Sequence, residues 1–145
     1  MASRTLLPIE NAVVKCVSRM REIQAAYIFG SAATGRMRHD SDIDVAVLVG
    51  DLVRQAGMFT YRLKLMAELG SALHRSDVDV VILNEASPLL AHRVLSKGRL
   101  IFERSASARV RFQVRTAAQY GDLIPMFETH IRYLKKNVRE GRIIG

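Results

Sequence analysis

The chain has 145 residues, 49% of them hydrophobic and 25% charged, the balance of one globular domain with its own core rather than of a disordered segment. No apolar run nears the roughly 18–20 residues that cross a bilayer, and the opening Met-Ala-Ser-Arg-Thr-Leu-Leu-Pro lacks the apolar stretch of a secretory signal. The net charge is +8, with nine Lys/Arg against three Asp/Glu from Arg104 onward; so basic a tail could suit an acidic partner or phosphates, but 6% aromatic residues and no RGG-type repeats give no stacking platform, and direct nucleic-acid binding is not expected.

In chain order, Ile9, Val13, Val17 and Met20 recur at helical spacing and predict an amphipathic helix from near Ile9 to Ile23. It carries the single cysteine, Cys16, which reads as a small buried apolar residue; without a pairing partner for a disulfide, the expected home is a reducing cytoplasm. Ala25–Phe29 is a short apolar run that ends at Gly30-Ser31, hence a buried strand and a tight turn. The polar, basic segment from Gly35 to Ser41 reads as a loop, or a short helix with a loop. Ile43–Val49 is rich in β-branched residues and predicts a second strand. From Asp51 to Leu73 the apolar positions Leu52, Ala56, Phe59, Leu63, Met66 and Leu69 predict a long helix, interrupted or ended near Gly70.

Val78–Leu83 predicts a third strand, and Ser87-Pro88 sets a capping residue before a proline at the first helical position, so a helix to about Leu95 follows. Arg99–Glu103 reads as a short edge strand. The tail reads as two helices, Ser105–Tyr120 and a second after a break at Gly121-Asp122. The second carries the stripe Ile124, Phe127, Ile131, Leu134 and Val138. Packing on its own domain is the simplest use of that stripe; a partner or self-association interface is the sharper one. The elements predict one α/β (α+β) domain with a small mixed sheet of three or four strands, residues 1–103, extended by helices over 104–145.

Three carboxylates carry the chemistry. Asp42 and Asp44 flank Ile43 at the opening of the second strand, and residues two apart on a strand share a face. Asp79 is an acid inside an apolar strand; if that strand lies beside the second, it completes a three-carboxylate cluster. Such a cluster repels itself unless a hard cation such as Mg²⁺ (one ion or two) relieves it. Paired ions would neutralise triphosphate oxygens and activate a hydroxyl, with a carboxylate as the base. Gly30 lets the backbone turn and approach a ligand, Ser31 can hold phosphate at a helix start, and Arg36 and Arg38 could add charge for a triphosphate. His39 and Asp40 read as turn-shaping surface residues, Asp77 as exposed, and the histidines show no zinc spacing.

Gly30-Ser31, ten intervening residues and Asp42-Ile43-Asp44 resemble the signature of the polymerase-beta-type nucleotidyltransferase superfamily. Val78–Leu90 and Lys97–Phe102 make the chain more specifically similar to the minimal nucleotidyltransferase (MNT) proteins of prokaryotes. The resemblance covers Tyr27 to Glu103 with motifs, and the tail by length and character. It implies that Gly30 and Ser31 bind the nucleotide and that Asp42, Asp44 and Asp79 hold metal. It also implies an antitoxin that transfers AMP from ATP to a tyrosine of a HEPN-domain ribonuclease toxin. Three rival functions are transfer to a small molecule such as an aminoglycoside, steric neutralisation without catalysis, and RNA binding. The chain is too short for a large acceptor-binding domain, which favours an acceptor protein supplied from outside.

Overall fold

Two seven-residue apolar strands, β1 (Ile23–Phe29) and β2 (Ile43–Val49), form the centre of the protein. The structure, a computed structural model, describes residues 6–30, 42–51, 53 and 57–141. Before β1 runs helix α1 (Leu6–Ser18); after β2 come α2 (Met58–Leu73), β3 (Val78–Ile82), α3 (Pro88–Lys97), β4 (Arg99–Glu103) and α4 (Ala106–Arg139). The strands form one mixed sheet in the order β3-β2-β1-β4. β1 is antiparallel to β2 and to β4, whereas β2 and β3 are parallel. The four-stranded sheet fulfils the expected fold class.

Strand alternation divides the core into two layers. Ile43, Val45 and Val47 of β2, with Val78, Val80 and Ile82 of β3, face Val13 and Val17 of α1 and Leu65 and Leu69 of α2. The opposite face of the sheet presents Ala25 and Tyr27 of β1 and Ala46 and Leu48 of β2 to Ala91 and Val94 of α3 and Phe112 of α4. Leu65 is fully buried in the first layer, and Leu65→Ala is expected to cost about 2–5 kcal/mol in a denaturant melt. A loss below about 1 kcal/mol would mean that this layer is loosely packed.

Local signals explain most boundaries. Ser87 Oγ accepts the Leu90 N–H at 3.2 Å, capping α3 as its Ser-Pro start predicts. Asn84 extends the sheet by donating to the Val49 carbonyl and accepting its N–H, both at 2.8 Å. Four expectations need correction. The first helix stops at Ser18 and Ile23 opens β1; a turn through Met20, whose carbonyl accepts the Ile23 N–H, intervenes. α2 begins at Met58 and turns Phe59 and Leu63 to solvent, at 66% and 48% exposure, because Met58, Leu65 and Leu69 form its buried face. The part of that expectation carried by Leu52 and Ala56 lies outside the described residues.

The tail is one continuous 34-residue helix rather than two. Gly121 costs a helix interior about 1 kcal/mol, which contacts elsewhere can offset. Pro125 removes a single hydrogen bond, the one the Gly121 carbonyl would have accepted. The helix continues past both, and Thr129 Oγ1 donates to the Pro125 carbonyl at 2.9 Å. The stripe does not pack on its own domain: Ile124, Phe127, Ile131, Leu134 and Val138 are 40–71% exposed. Among the described residues no helix is long and apolar enough to cross a membrane.

Candidate active site

The site is built where β1 ends and β2 and β3 begin. Asp44 lies opposite Phe29 across the antiparallel β1/β2 pair and opposite Asp79 across the parallel β2/β3 pair. Alternation puts Asp44 and Asp79 on the sheet face that carries α3 and α4, since their neighbours Ala46 and Val81 pack into that layer. The expected adjacency of the third strand to the second is therefore observed, with the two acids in register. Asp42 immediately precedes β2 and is exposed. The site spans the end of the two central strands, with Asp79 added by the edge strand β3.

Gly30 is the residue most constrained by this arrangement. Its φ of +72° is left-handed, and a Cβ added there would sit 2.5 Å from Asp44 Oδ2. Only glycine gives the backbone both that turn and that approach to the carboxylate. The Asp44 carboxyl is raised above its ordinary range, first by burial, then by the charge of Asp79 and then by that of Asp42. Removing one repelling acid should relieve this: in Asp79→Asn the Asp44 carboxyl is expected to titrate lower, as followed by carboxyl NMR, and an unmoved titration would show that burial acts alone.

Asp79 is held by a residue that sequence reasoning missed. Arg62, on α2, reaches round the outer strand β3 to donate from Nη2 to Asp79 Oδ1 at 2.9 Å and from Nε to the Val80 carbonyl at 2.6 Å. The pair lies 17 positions apart in sequence and no periodicity marks it; only the packing of α2 against the sheet brings the two together. Asp77 is half-buried rather than exposed: Arg75 Nε donates to its Oδ1 at 2.7 Å, and this bond holds the Asp77 carboxyl below its usual range.

Among the described residues no three His, Cys, Asp or Glu side chains are gathered closely enough to hold a metal ion. Asp79 is paired instead with Arg62. The donor set nevertheless fits a hard divalent cation: it consists of carboxylates alone, two of them in register on adjacent strands, and Asp44 is destabilised by the charges that such a cation would offset. Ser31, Arg36 and Arg38 lie outside the described residues, as do His39 and Asp40.

Beside Gly30 opens a cleft of ≈ 900 Å³ between α3 and the middle of α4, lined by Phe29, Gly30, Leu90, Arg93, Lys97 and Tyr120 among others. His92 and Tyr120 stack with ring centroids 3.6 Å apart. Sequence reasoning placed His92 among scattered histidines and gave Arg93 and Lys97 no role. A signal was available, because both cations lie in a capped helix that precedes the predicted edge strand Arg99–Glu103.

Residues 11–107 match the family of polymerase beta nucleotidyltransferases. The chain belongs to that family. Two protein adenylyltransferases named MntA are similar to it. One, from Shewanella oneidensis, is 34% identical over 115 residues, covering 79% of this chain and 78% of the relative. The other, from Aphanizomenon flos-aquae, is 26% identical over 118 residues, 77% of each chain. Among solved structures, a chain of a toxin–antitoxin complex with AMP-PNP superposes with a TM-score of 0.71 at 31% identity, covering 87% of this chain and 98% of that one. A chain from the complex of a tri-AMPylated Shewanella oneidensis HEPN toxin with its MNT antitoxin gives 0.67 at 28%, covering 90% and 98%. These matches bear out the superfamily resemblance read from Gly30-Ser31 and Asp42-Ile43-Asp44 and the MNT-type resemblance read from Val78–Leu90 and Lys97–Phe102, and with them a nucleotidyltransferase activity.

Proposed function

We propose that the chain is an antitoxin that transfers AMP from ATP to a tyrosine of a HEPN ribonuclease partner. The observation that carries this reading is the in-register pair Asp44 and Asp79, with Gly30 closed over Asp44 at the mouth of a cleft. The names of the similar proteins supply the acceptor class.

In the proposed reaction the acceptor hydroxyl oxygen attacks the α-phosphorus of ATP. An oxygen–phosphorus bond forms, the bond to the β-phosphate bridge breaks, pyrophosphate leaves, and Asp79 takes the hydroxyl proton. Asp42, Asp44 and Asp79 would hold one or two Mg²⁺ ions, whose positive charge would offset the negative charge of the triphosphate. Gly30 and Ser31 bind the nucleotide, with Arg36 adding charge for its phosphates. Gly30, lacking a Cβ, lets the Asp44 carboxyl lie against the backbone at the cleft mouth. Arg62 sets the rest position of Asp79 and competes with a cation for Oδ1. Arg62→Ala is therefore expected to lower the Mg²⁺ concentration for half-maximal transfer severalfold; an unchanged Mg²⁺ dependence would remove Arg62 from the site.

The test of the whole reading is intact-mass analysis of the partner after incubation with the chain, ATP and Mg²⁺. A gain of one or more AMP masses, absent with the Asp42→Ala, Asp44→Ala double variant, is the expected result. A partner that stays unmodified yet neutralised would favour steric blocking, and modification of aminoglycosides instead would favour the small-molecule reading.

A further inference from the structure

The face by which α4 rests on its own domain does not end where the domain ends. Phe112 and Thr116 are buried against it, and Tyr120 stacks on His92 at the cleft. Ile124, Phe127, Ile131, Leu134 and Val138 then continue Tyr120 at spacings of four and three, so they extend the same helical face. Beyond Thr116 only Asn137 is buried among the described residues. With 1.5 Å of rise per residue, Ile124 lies about 6 Å along the helix from Tyr120. A partner seated on the stripe therefore abuts the cleft that opens at Gly30.

Charge selects the occupant. From Thr129 to Arg139 the helix carries Arg132, Lys135, Lys136 and Arg139 and no Asp or Glu. Two copies pairing in parallel along the stripe would bring two such cationic segments together, and an antiparallel pair would set against these cations Glu128 alone among the acids of 124–138, so like-charge repulsion opposes both. A helical surface with an apolar centre and an acidic rim satisfies both the stripe and its flanks.

We propose that the C-terminal half of α4 is the docking surface for the acceptor protein of the transfer reaction, a helical partner with an acidic-rimmed apolar face, seated so that its acceptor hydroxyl reaches the cleft beside Gly30. This rests on the protein-acceptor reading above. The test uses the full chain with Ile131→Asp and Leu134→Asp together, whose exposed positions leave the fold intact by circular dichroism, and a second variant with Lys135→Glu and Lys136→Glu. Against the HEPN partner, the first pair is expected to weaken binding at least about 100-fold and to abolish AMP transfer at micromolar partner, with ATP affinity by calorimetry unchanged. The second pair is expected to slow association about tenfold at low salt and to flatten its salt dependence. Unchanged partner affinity in both variants overturns the proposal. So does sedimentation showing that the Asp variants dissolve a homodimer while the partner still binds, which would assign the face to a second copy. If the parent chain binds through the stripe but adds no AMP, docking stands and the transfer reading falls.

Discussion

An Asp44→Asn variant is expected to lose nucleotidyl transfer by roughly 10²–10³-fold or more and, without divalent cation, to melt above the parent chain. Both effects follow from one environment. Burial and the charges of Asp79 and Asp42 raise the Asp44 carboxyl above its ordinary value. Between that ordinary value and the raised one, the folded state binds more protons than the unfolded state, so stability falls as pH rises through the window. Above it the cost of an ionised Asp44 is fully present, and below the ordinary value it is gone. Asparagine keeps the size and removes the charge, so the gain over the parent should appear at neutral pH and vanish in acid. Addition of Mg²⁺ should raise the melting temperature of the parent and leave the variant nearly unmoved, since a ligand of the folded state stabilises in proportion to its binding. Transfer should fall as pH drops through the raised value, where Asp44 becomes protonated. A variant that melts lower at neutral pH, with an unchanged Mg²⁺ response, would show that Asp44 holds the fold rather than a cation.

How far the sequence reveals this arrangement depends on the range of each interaction. Ile43–Val49 was legible because β-branched residues fill a strand buried on both faces, and Ser87-Pro88 because a cap and a proline act within one turn. The in-register approach of Asp44 and Asp79 was legible only as a condition on strand order, which 34 intervening residues leave open. Arg62 was not legible, since its partner is fixed by how α2 crosses behind β3. The tail was misread where local cost was set against helix continuity: glycine costs backbone entropy and proline one hydrogen bond, and a long helix absorbs both. The stripe on that tail illustrates a different limit. Periodicity establishes that an apolar face exists, while its exposure depends on how far the domain extends beneath it.

The second large effect is expected at a position that bears no side chain. Gly30→Ala should reduce transfer far more than it reduces stability. The left-handed φ of +72° costs an alanine about 1–2 kcal/mol, a loss that most folds survive. The added Cβ, however, falls 2.5 Å from Asp44 Oδ2, and the carboxyl can avoid it only by leaving the position that Gly30 frames. Stability thus registers the backbone, and activity registers the displaced carboxyl. A double-mutant cycle separates them. In an Asp44→Ala background the clash has no oxygen to meet, so Gly30→Ala should there cost only its backbone part. In the parent background the same change should cost more, with the difference reporting the contact. Thermal melts of the four proteins measure this coupling without reference to any activity. Equal costs in both backgrounds would mean that Asp44 moves aside freely, and the geometry at the end of β1 would then owe its glycine to the turn alone.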